Sequence, residues 1–229
     1  MRKKLSIILI VLGLIFLSMP IVNTLIIKFN SKTNQKLLDE MTMEEMEENN
    51  QRQGSYDYSS IEDIDITSTF TGLQDFDERY LIGEISIPEL GIRLPILKGV
   101  TNANLMAGAA TMVEDQNMGK GNYPLAGHYA RGQNLFGKLL DIKKGTKVRM
   151  TDKKTVYEYD IYDTKIVPDT ATYMLDQDRS EEQGKPIVSL MVCYYTSKNG
   201  KRFFALGQLV NEYSYNDSKL DKYTLELKE

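Results

Sequence analysis

From Tyr80 onward the chain is built of short apolar runs that alternate with polar residues and stop at turn signals. That pattern admits a sheet closed into a barrel or two sheets packed face to face, and little else. "LIGEISIPELGIRLPILKG" places Ile82, Ile85 and Ile87 on one side of a turn at "PELG" and Ile92, Leu94 and Ile96 on the other, the pattern of a hairpin. "TNANLMAGAA" opens on Thr101 as a possible N-cap and continues with small residues suited to a short helix. "YPLAGHYA" reads as a strand ending near His128, and "NLFGKLLDI" as a short amphipathic helix burying Leu135, Phe136, Leu139 and Leu140. "TKVRM", "TVYEYDIYDTKIV", "IVSLMVCYY" and "RFFALGQLV" read as further strands, and the irregular stretch between Val167 and Ile187 is long enough to suspect a functional loop.

The region before Tyr80 decides the compartment. Arg2, Lys3 and Lys4 precede an uncharged stretch from Leu5 to Ile27, which as a helix spans roughly 34 Å against a hydrocarbon core of about 30 Å. Residues 1–4 are then a cytoplasmic tail, and residues 5–27 an uncleaved signal-anchor rather than a signal peptide, since no A-x-A site follows Leu17. Pro20 is positioned to kink this helix. The positive-inside rule puts everything after Lys28 on the outer face of the cell membrane, tethered by a single pass. Residues 28–77 are polar and acid-rich; the run "LLDEMTMEEMEENNQRQG" follows a helical period only loosely at Leu38, Met41, Met43 and Met46. We read a marginal helix within a solvated stalk, with the folded domain over residues 78–229. A formal charge of −4 leaves no basic footprint for nucleic acid.

His128 is the only histidine and Cys193 the only cysteine. Either alone is more often a core or edge residue than a catalyst; with an arginine nearby they form a chemically complete set. A free thiol with a pKa of about 8.5 is only slightly ionised at neutral pH, but a neighbouring imidazole or guanidinium favours the nucleophilic thiolate. A guanidinium stays protonated and cannot be the base, yet its planar fork suits an oxyanion, the role open to Arg202. "SLMVC" and "RFFAL", joined by "YYTSKNGK", read as neighbouring antiparallel strands, which sets Cys193 and Arg202 close across the pair.

The blocks "GEISIPELGIRLPI", "GNYPLAGHYARGQNLFGKL", "SLMVCYY" and "KRFFALG" resemble, in order, the signatures of the sortases, the cysteine transpeptidases of Gram-positive cell surfaces. The match runs over roughly residues 78–212, and an amino-terminal anchor without a carboxy-terminal membrane segment is most similar to class A, the housekeeping type. The resemblance implies a mainly β fold, a closed eight-stranded barrel with short helices, preceded by one transmembrane helix and a polar stalk. It implies His128, Cys193 and Arg202 as the catalytic three. Surface proteins with a carboxy-terminal Leu-Pro-x-Thr-Gly-like (LPXTG) signal would be the substrates, cut between Thr and Gly through a thioester, and the amine of a peptidoglycan precursor would be the acceptor. The family's block before the nucleophile is Thr-Leu-x-Thr-Cys, whereas here it is Ser189, Leu190, Met191, Val192, Cys193: a hydroxyl is kept at the first position and lost at Val192. Ala126, Met191 and Val192 are the expected substrate-binding residues, with ordinary core as the competing role, and the loop from Pro168 to Pro186 is expected to shape the pocket.

Two other classes compete. A membrane-tethered cysteine protease of another family would need a different arrangement, because papain-like enzymes place Cys before His and caspases carry Q-A-C-x-G at the nucleophile. A non-enzymatic β-barrel that binds a partner from a stalk is opposed only by the Cys/His/Arg set. No cofactor is expected, since a zinc site needs three or four ligands of the right type. Some sortases bind calcium through carboxylates just before the catalytic histidine and in the long loop. Here only Glu114 and Asp115 precede His128 closely, with Lys120 opposing them, while the loop holds Asp169, Asp176, Asp178, Glu181 and Glu182. Ca²⁺ takes about 6–8 oxygen ligands, so no metal site is expected.

Overall fold

The computed structural model describes residues 2–58, 75–130 and 135–215; residues 59–74 of the expected stalk, 131–134, and 216–229 of the expected domain lie outside them. Eight strands form where the alternation predicts sheet: β1 (Leu81–Ile87), β2 (Ile92–Leu97), β3 (Ala109–Thr111), β4 (Asn122–Gly127), β5 (Lys147–Thr151), β6 (Thr155–Pro168), β7 (Ile187–Cys193) and β8 (Lys201–Ser214). They close into a barrel in the order β1-β2-β3-β4-β7-β8-β6-β5. The β2/β3 and β4/β7 pairs are parallel, and the remaining pairs antiparallel.

Period-two alternation explains the core. Ile85 and Ile87 of β1, Leu94 and Ile96 of β2, Leu125 of β4, Val148 of β5, and Leu190 and Val192 of β7 all point into one buried cluster, each worth roughly 1.5–3 kcal/mol of transfer free energy. The intervening residues face outward. Irregular register between Glu158 and Tyr159, and again between Ile161 and Asp163, falls within the long β6/β8 pair, where a bulge adds the bend that closure requires.

Two local expectations change in the structure. "TNANLMAGAA" is a helix only over α3 (Asn102–Ala107), capped by Thr101, whose side chain accepts from the Asn104 N–H at 3.1 Å. Its last residues form β3, too short for any period to show. "NLFGKLLDI" is not a helix: Leu135 bridges Tyr129 at φ 50°, and a 3₁₀ turn follows at Leu139–Asp141. Leu135, Phe136 and Leu139 are nonetheless buried, because an apolar spacing of that kind serves a folded-back turn as well as a helix.

The larger difference lies before the barrel. The apolar stretch belongs to one 39-residue helix, α1 (Arg2–Glu40), which continues through Pro20. Ser6–Ile26 is long and apolar enough to cross a membrane. Beyond it, the polar segment is not a solvated spacer over residues 34–50. Helix α2 (Met43–Asn50) opens with a reciprocal cap: Glu45 N–H donates to Thr42 Oγ1 at 3.2 Å and Thr42 N–H to Glu45 Oε2 at 2.7 Å. Leu38 and Met46 are buried against Leu81 of the barrel. Asn34 donates to the Ala107 carbonyl at 3.2 Å, and Asn49 to the Leu81 carbonyl at 2.9 Å. Arg93 bridges Asp39 of α1 (2.6 Å) and Glu84 of β1 (2.8 Å). The break at Met41 and Thr42 gives each helix its own apolar face, so a single period across both looks irregular.

Candidate active site

Strand register brings three chain segments to one edge of the barrel. In the parallel β4/β7 pair Ala126 lies opposite Met191 and Gly127 opposite Val192, so His128 continues one step beyond, beside Cys193. In the antiparallel β7/β8 pair Cys193 lies directly opposite Arg202. All three line one cavity of about 290 Å³. His128 is buried and Cys193 half-buried.

Gly127 sets the approach of the histidine. A Cβ there would overlap the ring of Phe136, and the Phe136 N–H donates to the His128 carbonyl at 3.2 Å. The apolar turn read as a helix is thus the support under His128. Arg202 lines the cavity, with Nη2 at 3.8 Å from Asp169 Oδ2 and Nη1 donating to the Lys201 carbonyl at 3.1 Å. A guanidinium placed across from a thiol can favour the thiolate and receive the negative charge that develops on an attacked carbonyl. Tyr129, which follows His128, packs with Tyr194 and Tyr195, which follow Cys193, with ring centroids 5.8 Å apart for Tyr129/Tyr195 and 4.6 Å for Tyr194/Tyr195.

Of the three expected substrate-binding residues, Ala126 and Met191 reach the cavity. Val192 does not. It is fully buried in the barrel interior with Phe203, because alternation along β7 turns Met191 and Cys193 outward and Val192 inward. The hydroxyl absent at Val192 would have faced the core. Ser189, whose hydroxyl is retained, donates to Asn122 Oδ1 at 2.8 Å. Asn122 in turn donates to the carbonyls of Met174 (3.1 Å) and Asp176 (3.0 Å), and its own carbonyl accepts from Gln177 at 2.8 Å. This network fastens the 168–186 loop to β4 and presents Leu175 to the cavity.

Three contributors escape a reading of the sequence: Asp169 as the partner of Arg202, Asn122 as the loop fastener, and Tyr58, which lines the cavity from outside the barrel. Only Tyr58 leaves a trace, since Tyr56 and Tyr58 at i, i+2 within an acidic stretch mark an extended segment laid on an apolar surface. Burial pushes the Tyr58 phenol up to about 12, so it stays protonated, and its hydroxyl donates to the Met112 carbonyl.

The family profile described as Sortase domain matches residues 85–210, a span that holds His128, Cys193 and Arg202. The chain belongs to the sortase family. Sortase A of Listeria monocytogenes is 32% identical over 228 residues, 99% of this chain and 96% of that protein. Sortase A of Bacillus anthracis is 36% identical over 156 residues, 67% and 70% of the two chains. The solved structure of Listeria monocytogenes sortase A has 37% identity and a TM-score of 0.58, covering 63% of this sortase and 97% of that chain. Sortase C-3 of Streptococcus pneumoniae, at 21% identity and a TM-score of 0.62, shares the fold. The sortase is accordingly a cysteine transpeptidase on a β-barrel.

Two expected results follow from the site of this sortase. Gly127→Ala keeps the barrel but displaces Phe136 and the His128 backbone; overpacking costs about 1–3 kcal/mol, and a catalytic group moved by about 1 Å can lose about a hundredfold in rate. We expect kcat/KM to fall about 10- to 100-fold, and a wild-type value would contradict this account of His128. The second concerns calcium. Glu114 and Asp115 are exposed in the turn after β3, and Asp169 faces Arg202. Initial rates at fixed ionic strength should be equal in chelator and in millimolar calcium; a several-fold stimulation lost in Glu114→Gln would contradict it.

Proposed function

We propose that this sortase cuts a carboxy-terminal Leu-Pro-x-Thr-Gly-like signal between threonine and glycine and transfers the upstream protein to the amine of a peptidoglycan precursor. The observation that carries the reading is the strand register: Cys193 opposite Arg202 and His128 one step past the Gly127/Val192 pair, around one cavity. Cys193 Sγ, as thiolate, attacks the threonine carbonyl. The resulting oxyanion is paired with the Arg202 guanidinium, which lowers the barrier most where charge is greatest. Collapse breaks the C–N bond, His128 protonates the departing glycine amine, and a thioester remains on Cys193.

In the second half-reaction His128 takes a proton from the incoming amine, which attacks the thioester. A second oxyanion forms beside Arg202, and the Cys193 thiolate leaves to regenerate the site. Ala126, Met191 and Leu175 supply apolar surface for the leucine and proline of the signal. The Ser6–Ile26 segment crosses the membrane, with Arg2, Lys3 and Lys4 on the cytoplasmic side and the barrel outside.

The test is incubation of the full chain in detergent with a Leu-Pro-x-Thr-Gly peptide and a small primary amine. The expected product carries the amine on the threonine carbonyl, with the glycine fragment released. Cleavage elsewhere in the peptide, or an amine-independent product only, would favour a thiol hydrolase.

A further inference from the structure

The segment before the barrel reaches the same cavity as the catalytic residues. Three hydrogen bonds hold the segment at Ser55, Tyr56 and Tyr58. The Val100 N–H donates to the Ser55 carbonyl at 2.7 Å, and the Tyr56 hydroxyl lies 3.3 Å from Thr111 Oγ1, which also accepts from the Gly99 N–H at 2.8 Å. The Tyr58 hydroxyl donates to the Met112 carbonyl. Gly99, at φ +88°, presses so close to Ser55 that a Cβ would overlap that residue's backbone, so the join between segment and barrel is built for close approach.

Tyr56 packs on Val100, Leu105, Met112 and Ala126, which form the apolar end of the cavity, and Tyr58 lies beside it as a lining residue. Tyr58 is 44% exposed. A large aromatic face left half-open on an otherwise apolar cavity gains contact when a ligand enters. Because the hydroxyl is tied to Met112, next to β3, the ring stands at the margin. The cavity of about 290 Å³ remains with Tyr58 in its wall, close to the lower end of small-ligand pockets at about 300 Å³.

We propose that Tyr58 is a specificity-determining residue that contacts substrate, forming one wall of the site for the aliphatic first residue and the proline of the sorting signal, opposite Leu175. This rests on the transpeptidase reading above and extends it to a residue outside the 85–210 span that matches the family. The segment is then part of the enzyme's substrate site as well as its tether.

The experiment measures kcat and KM for the full chain in detergent with two peptides, Leu-Pro-x-Thr-Gly and Ala-Pro-x-Thr-Gly, and a fixed amine. Wild-type turnover of the first peptide checks the underlying reading; its absence would sink that reading before Tyr58 is tested. With turnover established, Tyr58→Ala should raise KM for the leucine peptide about tenfold, with kcat within about twofold, as expected for a lost aromatic contact. The wild-type preference for leucine over alanine should shrink by a similar factor, because the two deletions remove one shared contact. Tyr58→Phe keeps the ring and should raise KM only about two- to threefold. Iodoacetamide labelling of Cys193 at the wild-type rate verifies that both variants are folded. An unchanged KM with an unchanged leucine preference in Tyr58→Ala would overturn the proposal. So would a rise in kcat/KM, which would make the ring an obstruction, or a loss confined to kcat.

Discussion

Cys193→Ala is expected to eliminate both the proposed acyl-enzyme and the transpeptidation product, a fall of at least about 10⁴-fold in kcat, because removing the proposed nucleophile removes the path and not merely one stabilising contact. The other two positions should fail differently. Arg202→Lys retains a positive charge near Asp169 but not the planar fork that can meet an oxyanion. It should leave Cys193 alkylatable while slowing transfer about 10²- to 10³-fold, the range for a lost oxyanion donor. His128→Ala should slow both half-reactions, since in the proposed mechanism the same imidazole releases one amine and activates the next, with about 10²- to 10⁴-fold at stake. Comparing single-turnover thioester formation with steady-state transfer in the three variants separates these roles. Near-normal turnover of Arg202→Lys would remove Arg202 from the oxyanion.

The second large effect concerns the segment before the barrel. A chain beginning at Gln74 lacks Leu38 and Met46, which cover Leu81, and the side chains of Asn34, Asp39 and Asn49 that bond to the barrel. Burial of two such apolar side chains contributes about 3–6 kcal/mol together. At about 2–4 °C per kcal/mol for a domain of this size, its melting temperature should lie roughly 6–24 °C below that of a chain beginning at Thr33, which keeps all of these contacts. The Gln74 chain also lacks Tyr58, so a raised KM should accompany the lower stability. Equal melting temperatures by calorimetry would mean that residues 34–50 add nothing to the fold, as the stalk reading of the sequence holds.

Where the sequence was legible, a period or a unique residue made it so. The β1/β2 hairpin and the β7/β8 pair follow from alternation, and with a single Cys and a single His in the chain there was no choice of candidates to resolve. The same alternation, applied strictly, excludes Val192: Met191 and Val192 are consecutive in a strand and cannot both face the cavity. β3 escaped because three residues carry no measurable period. The packed helices escaped because their apolar residues change phase at Thr42, and a polar composition conceals a narrow buried face. Asn122 and Asp169 act through contacts with residues distant in sequence, of which local pattern carries no record, and the Tyr56/Tyr58 spacing marks an extended segment without showing the Met112 carbonyl that Tyr58 meets.

Acyl transfer through Cys193, proposed at the meeting point of β4, β7 and β8, has a direct test. The full chain is mixed with a Leu-Pro-x-Thr-Gly peptide without added amine, quenched in acid within the first turnover, and mapped by mass spectrometry after proteolysis. The expected result is an adduct on the peptide bearing Cys193 whose mass equals the signal cut after threonine, released by hydroxylamine as the threonine hydroxamate. An adduct on any other residue, or full turnover by protein whose Cys193 is quantitatively alkylated, would contradict it.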